Sequence, residues 1–127
     1  MYKEVIICIV VVISIISLNW YLQDYTKTSV TNISDDLNSI KNDLKEENKD
    51  KINEKMKKLN EKWNEKYKAL AIFIEHDELE KVETNLVALE GYIEVSDYNM
   101  GINEINKGVF VLKHIAEKYD FSLVNVF

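Results

Sequence analysis

The side chains best able to do chemistry are two histidines, His76 and His114, and one cysteine, Cys8. His76 stands in the run Ile74-Glu75-His76-Asp77-Glu78, and His114 lies three residues before Glu117. Imidazole with carboxylates is a donor set for a divalent metal ion, which makes His76 and His114 the weak metal candidates. Their spacing matches no metal motif, and the plain structural alternative is a turn histidine at 76 and a helix C-terminal histidine at 114, favoured there by the helix dipole. Cys8 stands alone, so neither an intrachain disulfide nor a thiolate cluster can form. The chain has no Gly-rich phosphate loop, no G-x-S-x-G elbow and no H-E-x-x-H helix. Its carboxylates alternate with lysines along helix faces and read as solvated surface, not as an acid and base pair. The sequence therefore predicts no enzyme and no cofactor.

The elements that must position these residues follow from where the charge lies. Of 22 acidic and 16 basic residues, only Lys3 and Glu4 precede Asp24, and the net charge of -6 is carried downstream. Two solvents are implied for one chain. All basic residues are lysine, there is no proline and there are three glycines, a bias toward long helices and away from turns. Lysines from Lys41 to Lys68 are matched almost one for one by Asp and Glu, which suits i,i+4 pairing on a helix surface and disfavours nucleic acid as a partner.

Val5 to Leu18 reads VIICIVVVISIISL, and apolar character continues to Leu22. These 18 positions span about 27 Å as a helix, close to the hydrocarbon thickness of a bilayer, so one transmembrane helix is expected. Ser14 and Ser17 can bond back to their own helix, and Trp20, Tyr21 and Tyr25 form an interfacial aromatic belt, with Tyr2 as its counterpart upstream. A cleaved signal peptide needs small residues before the cut, which the run into Asn19-Trp20-Tyr21 does not offer. A lipoprotein signal ending at Cys8 fails because Ile7 is not small. A soluble core helix cannot hide so wide an apolar surface in a domain this small. Lysines near the two ends are nearly balanced. The short N-terminal flank before a long acidic domain places residues 24–127 outside the cytoplasm, as a single-pass protein of the cell membrane.

Beyond Val30, apolar residues recur at helical spacing. Val30, Ile33, Leu37, Ile40 and Leu44 form one stripe; Ile52, Met56, Leu59, Trp63, Leu70 and Ile74 a second; Leu79, Val82, Leu86, Leu89 and Ile93 a third; Ile102, Ile105, Val109 and Leu112 a fourth. The expected fold is all-α, an N-terminal transmembrane helix followed by an antiparallel bundle of about four helices. The expected boundaries are 1–25 for the anchor, 26–120 for the bundle and 121–127 for an apolar C-terminal tail. A turn near 47–50 has Asn48 and Asp50 as N-cap candidates, Asp77 with Glu80 makes a capping-box spacing, and Ser96-Asp97 opens the fourth helix. Gly108 falls mid-helix, where it allows close helix contact at a cost of roughly 1 kcal/mol. Short connections place His76, His114 and the tail at the end of the bundle facing the membrane. The first stripe suits packing within the chain or pairing of two chains as a homodimeric coiled coil.

The tail Phe121-Ser122-Leu123-Val124-Asn125-Val126-Phe127 is apolar where chain ends are normally polar and frayed, so Leu123, Val124, Val126 and Phe127 are candidate partner-binding residues.

The Trp63 helix, the run Ile74-Glu75-His76-Asp77-Glu78-Leu79, then Leu86, Leu89 and Tyr92, Leu112-Lys113-His114-Ile115 and the ending Ser122-Leu123-Val124-Asn125-Val126-Phe127 resemble the small bacterial domain-of-unknown-function family 4363. The resemblance extends over essentially the whole chain, with Ala116 where a proline is frequent. It implies a single-pass, membrane-anchored helical protein and no assigned activity. The expected function is that of an extracytoplasmic accessory or interaction module engaging an integral membrane partner. The alternative is a small-ligand or metal sensor domain.

Overall fold

In a computed structural model, which describes residues 1–72 and 74–119, all regular structure among the described residues is helical: α1 (Tyr2–Glu46), α2 (Lys49–Leu70), α3 (His76–Glu94) and α4 (Tyr98–Lys118). The apolar segment and the first amphipathic stripe form one helix, α1, where the sequence suggested a span followed by a separate bundle helix. No proline, glycine or cap interrupts residues 19–30, and Thr26 bonds back to the Leu22 carbonyl at 2.8 Å, so the helix runs without a break from the apolar segment into the first stripe. Its 45 residues make a rod about 67 Å long.

The two halves of this rod differ in burial. Val5 to Tyr21 is exposed throughout, with Ser14 bonding back to the Val10 carbonyl as its position suggested. This stretch is long and apolar enough to cross a membrane. Burial starts at Thr26, and Ser29, Val30, Ile33, Leu37, Ile40 and Leu44 then enter the core. No linker separates the apolar segment from the bundle.

The bundle is antiparallel. Lys55 reaches Asp43 and Lys62 reaches Asp36, each at 2.7 Å, which orders α2 against α1. Lys118 at the end of α4 meets Glu75 and Glu78 at the start of α3. Lys41 bonds Asn106 across α1 and α4. α1 packs on both α2 and α4, and α3 packs chiefly on α4, while α2 and α3 touch little despite being consecutive. The Val30–Leu44 stripe is thus consumed within the chain, against α2 and α4.

Both turns at the far end share one construction. Glu47 and Ser96 adopt left-handed backbone (φ 55° and 57°), and their amides bond Leu44 and Ile93 carbonyls. The next amides, of Asn48 and Asp97, reach Asp43 and Tyr92 carbonyls, completing two Schellman closures. Asn48 and Asp97 then serve as N-caps, their side chains accepting from the Lys51 and Met100 amides at 3.3 Å. Asp50, the other cap candidate, falls in the first turn of α2. The connection from α2 to α3 differs. Its N-cap is Glu75 and Asp77 lies inside the first turn of α3, so the expected capping box at Asp77 is not formed; there the two carboxylates Asp77 and Glu78 instead face the positive end of the helix dipole.

α4 is rotated relative to its stripe. Its buried face comprises Gly101, Glu104, Ile105, Gly108, Leu112 and Ile115, and Ile102 and Val109 are only partly buried. The cause is the pair of glycines. A β-carbon at Gly101 would meet Leu44 Cδ1 at 3.3 Å, and one at Gly108 would meet Leu37 Cδ1 and Asn85 Cβ at 3.6 Å, so the small residues turn inward where α4 approaches α1 and α3.

Candidate functional site

The end of the bundle at which α1 emerges from its apolar half, here the proximal end, gathers most of the polar side chains singled out from the sequence. It is assembled from the last turn of α2, the connection to α3, the first turn of α3 and the last turn of α4. Lys118 spans it, with Nζ 3.4 Å from Glu75 Oε2 and 3.4 Å from Glu78 Oε1. Glu78 is buried, and the lysine supplies its counter-charge. Desolvation lowers the affinity of Lys118 for its proton, but the charges of Glu75 and Glu78 and their hydrogen bonds outweigh it and hold the ammonium above the usual lysine value. The Glu75 amide donates to the Tyr119 hydroxyl at 2.9 Å, so the end of α4 is tied to the backbone that opens α3.

His76 and His114 lie on elements that meet at this end, as the antiparallel arrangement requires. His76 is exposed, with Nδ1 3.3 Å from the Tyr67 hydroxyl and Nε2 3.9 Å from Glu80. His114 is exposed on α4. No group of three or more His, Cys, Asp or Glu side chains disposed to hold a metal ion occurs among the described residues. What His76 makes is an imidazole and phenol contact in water, supported on an edge-to-face pair of Tyr67 with the buried Trp63.

Two surface grooves follow the helix seams. One, of about 940 Å³, runs between α3 and α4 past Glu80, Thr84, Lys107 and Phe110 and is wide open to solvent. The other, of about 370 Å³, lies where α2 and α3 diverge, between Met56, Asn60, Glu90 and Ile93. Neither has the enclosed apolar wall typical of a small-molecule site. Leu123, Val124, Val126 and Phe127, the candidate partner-binding residues, lie outside the described residues.

Sequence reasoning passed over several exposed apolar side chains of the bundle, Phe110 and Ile72 among them. Phe110 stands off the α4 stripe at the lip of the larger groove. Ile72 is 83% exposed between the buried Leu70 and Ile74. Its signal was present in the uncharged run Ala69-Leu70-Ala71-Ile72-Phe73-Ile74, but periodicity assigns such a run to a core stripe and cannot tell which member points outward.

An exposed apolar half-helix is carried without a break into an antiparallel four-helix bundle, closed at its proximal end by a lysine between two carboxylates, which defines a helix-borne bundle. Residues 20–126 match the model of a family described as a domain of unknown function, DUF4363, and the chain belongs to that family. The match starts at Trp20, narrower than the whole-chain resemblance, and takes in the aromatic residues and the bundle while leaving residues 1–19 outside. No curated protein and no solved structure matches the chain.

Proposed function

We propose that this protein is a non-enzymatic accessory module, anchored in the cell membrane by the apolar half of α1, with its bundle outside the cytoplasm and engaging an integral membrane partner. The observation that carries the reading is the two-part character of α1. Residues 5–21 present apolar side chains on every face and are exposed throughout, whereas the same helix, from Thr26 onward, is the spine of the bundle. A surface of that kind is stable in lipid or against other membrane helices and costly in water. With no linker between the two halves, the bundle is held at a fixed height above the bilayer, about 30 Å tall along residues 26–46. A module so placed meets the exposed faces of proteins in the same membrane.

The test is crosslinking and affinity purification of the full chain from its own membranes, beside a version truncated after Asp120. Recovery of one integral membrane protein with the full chain and its loss on truncation supports the module and assigns Leu123, Val124, Val126 and Phe127 to the contact. Recovery of none with either chain refutes the partner. Fusion of a periplasmic or extracellular reporter at the C-terminus checks the orientation, and activity of a cytoplasmic reporter alone would reverse it.

A further inference from the structure

We propose that the connection between α2 and α3 is a second membrane contact, in which Ile72 inserts into the interfacial layer of the bilayer that α1 enters. The inference rests on the reading of the apolar half of α1 as a membrane span.

Three observations carry it. The first is level. α2 descends along α1, and its pairs give the register: Lys62 with Asp36 at 2.7 Å, and Lys66 with its ammonium 5.1 Å from the centre of the Tyr25 ring. Ile72 lies ten residues past Lys62 and six past Lys66, in the turn two residues beyond the end of α2 at Leu70. Extrapolated along α1, the Lys62–Asp36 pair and the Lys55–Asp43 pair both set Ile72 level with Thr26, and the Lys66–Tyr25 contact sets it level with Asn19. That interval contains Trp20, Tyr21 and Tyr25, the residues suited to the boundary between hydrocarbon and water.

The second is orientation. Leu70 and Ile74 are both buried and fix the backbone on either side, so Ile72 is pinned pointing away from the core instead of left on a frayed loop. Burying an isoleucine in the bundle would be favourable, and this one is turned out, with the exposed Ala71 beside it.

The third is contrast between the two ends. The far turns are written Glu46-Glu47-Asn48-Lys49-Asp50 and Glu94-Val95-Ser96-Asp97, so the single exposed valine there stands among charges. The proximal run Ala69 to Ile74 contains no charged residue. The uncharged turn is the one that the register brings to the bilayer, and the charged turns are those held farthest from it.

The occupant is therefore lipid, recognised by apolar insertion and not by headgroup charge. Glu75 and Asp77 on one side of the turn offset Lys66 and Lys68 on the other, and Lys118 is already paired with Glu75, so attraction to anionic lipid is not what holds it.

Cys8 is the sole cysteine, so full-length protein carrying Cys8→Ser accepts single reporter sites. Ile72→Cys, with Ala71→Cys as a second site in the same turn, Leu18→Cys in the apolar half and Val95→Cys at the far end are each labelled with an environment-sensitive fluorophore. The proteins are reconstituted in phosphatidylcholine vesicles containing a lipid with a nitroxide near the glycerol backbone. The expected result is blue-shifted emission and quenching several-fold stronger at residue 72 than at 95, approaching that at 18, and unchanged when anionic lipid is added. A label at 72 that behaves like the label at 95, while the label at 18 is quenched, overturns this contact and leaves the span standing. Quenching at 72 that needs anionic lipid overturns apolar insertion. An unquenched label at 18 removes the span, and this contact falls with it. Circular dichroism of each variant identifies any that has lost the bundle, in which case the Ala71 site decides.

Discussion

The ammonium of Lys66 lies 5.1 Å from the centre of the Tyr25 ring, which joins α2 to α1 less than a turn before the first buried residue of the bundle, Thr26. The same tyrosine is stacked with Tyr21, centroids 6.4 Å apart, one turn closer to the apolar half. The apolar half of α1 and the bundle therefore meet in one aromatic and cationic cluster, and the bundle starts where the apolar segment ends.

Lys55 supplies the counter-charge of a buried acid. Its Nζ is 2.7 Å from the carboxylate of Asp43 and 2.7 Å from the Ser39 hydroxyl. Lys55→Met should cost about 1–3 kcal/mol, because it leaves a buried carboxylate without its counter-charge. Adding Asp43→Asn should recover part of that loss. A double-mutant cycle by urea denaturation measures the coupling, and strictly additive losses would show that the pair contributes nothing.

The two left-handed turn residues carry β-carbons where glycine is the unstrained choice. Ser96→Gly and Glu47→Gly should each raise stability by about 0.5–1 kcal/mol, and the gains should add because the turns are separate. Asp97→Ala should lower stability by about 1 kcal/mol through loss of the cap to the Met100 amide. Thermal melts of the three variants read the opposite signs directly.

At Gly108 the neighbouring atoms sit 3.6 Å from where a β-carbon would be, an ordinary contact distance. Gly108→Ala should stabilise α4 by about 0.5–1 kcal/mol, as helix propensity is gained without a clash. Gly108→Leu should destabilise by about 1–3 kcal/mol, since the longer side chain must push α4 away from Leu37 or Asn85. Equal melting temperatures for the two variants would contradict the close approach.

The clamp at the proximal end predicts a pH dependence of definite sign. Glu75 and Glu78 hold the Lys118 proton more tightly in the folded bundle than in the unfolded chain, against the opposing effect of desolvation. Its stabilising contribution is fully present below the ordinary lysine value of 10.5 and is lost as pH rises past it through the raised value. Lys118→Met should be less stable than the parent by a constant amount through neutral pH, and the two should converge only in strong alkali. A difference that closed between neutral pH and pH 9 would assign the effect to another group.

Much of the bundle can be read without a structure, because a helix that must bury one face repeats its apolar residues every three or four positions. Every member of the first three stripes, from Val30 to Ile93, is buried. The far turns were legible through Asn48 and Asp97, whose short polar side chains have a local job at a helix start. Among the residues considered for chemistry, both histidines were placed at the correct end by counting antiparallel passes, and only the coordinates revealed what His76 touches.

Local sequence determined which segments are helical, where the polar caps stand and that residues 5–22 form an apolar run unlike the charged remainder, since each depends on the residues of one segment. Tertiary packing decided what no segment carries by itself. It buried the stripe of α1 from Val30 to Leu44 against α2 and α4 within one chain. It turned Gly101 and Gly108 inward on α4, because close approach of three helices favours the smallest side chains at the crossing even over isoleucine and valine. It joined Lys118 to Glu75 and to Glu78, the latter across 40 residues of chain, and it turned Ile72 outward between two buried neighbours. Periodicity records that a face is apolar, whereas the packed neighbours determine which face is covered and which remains open.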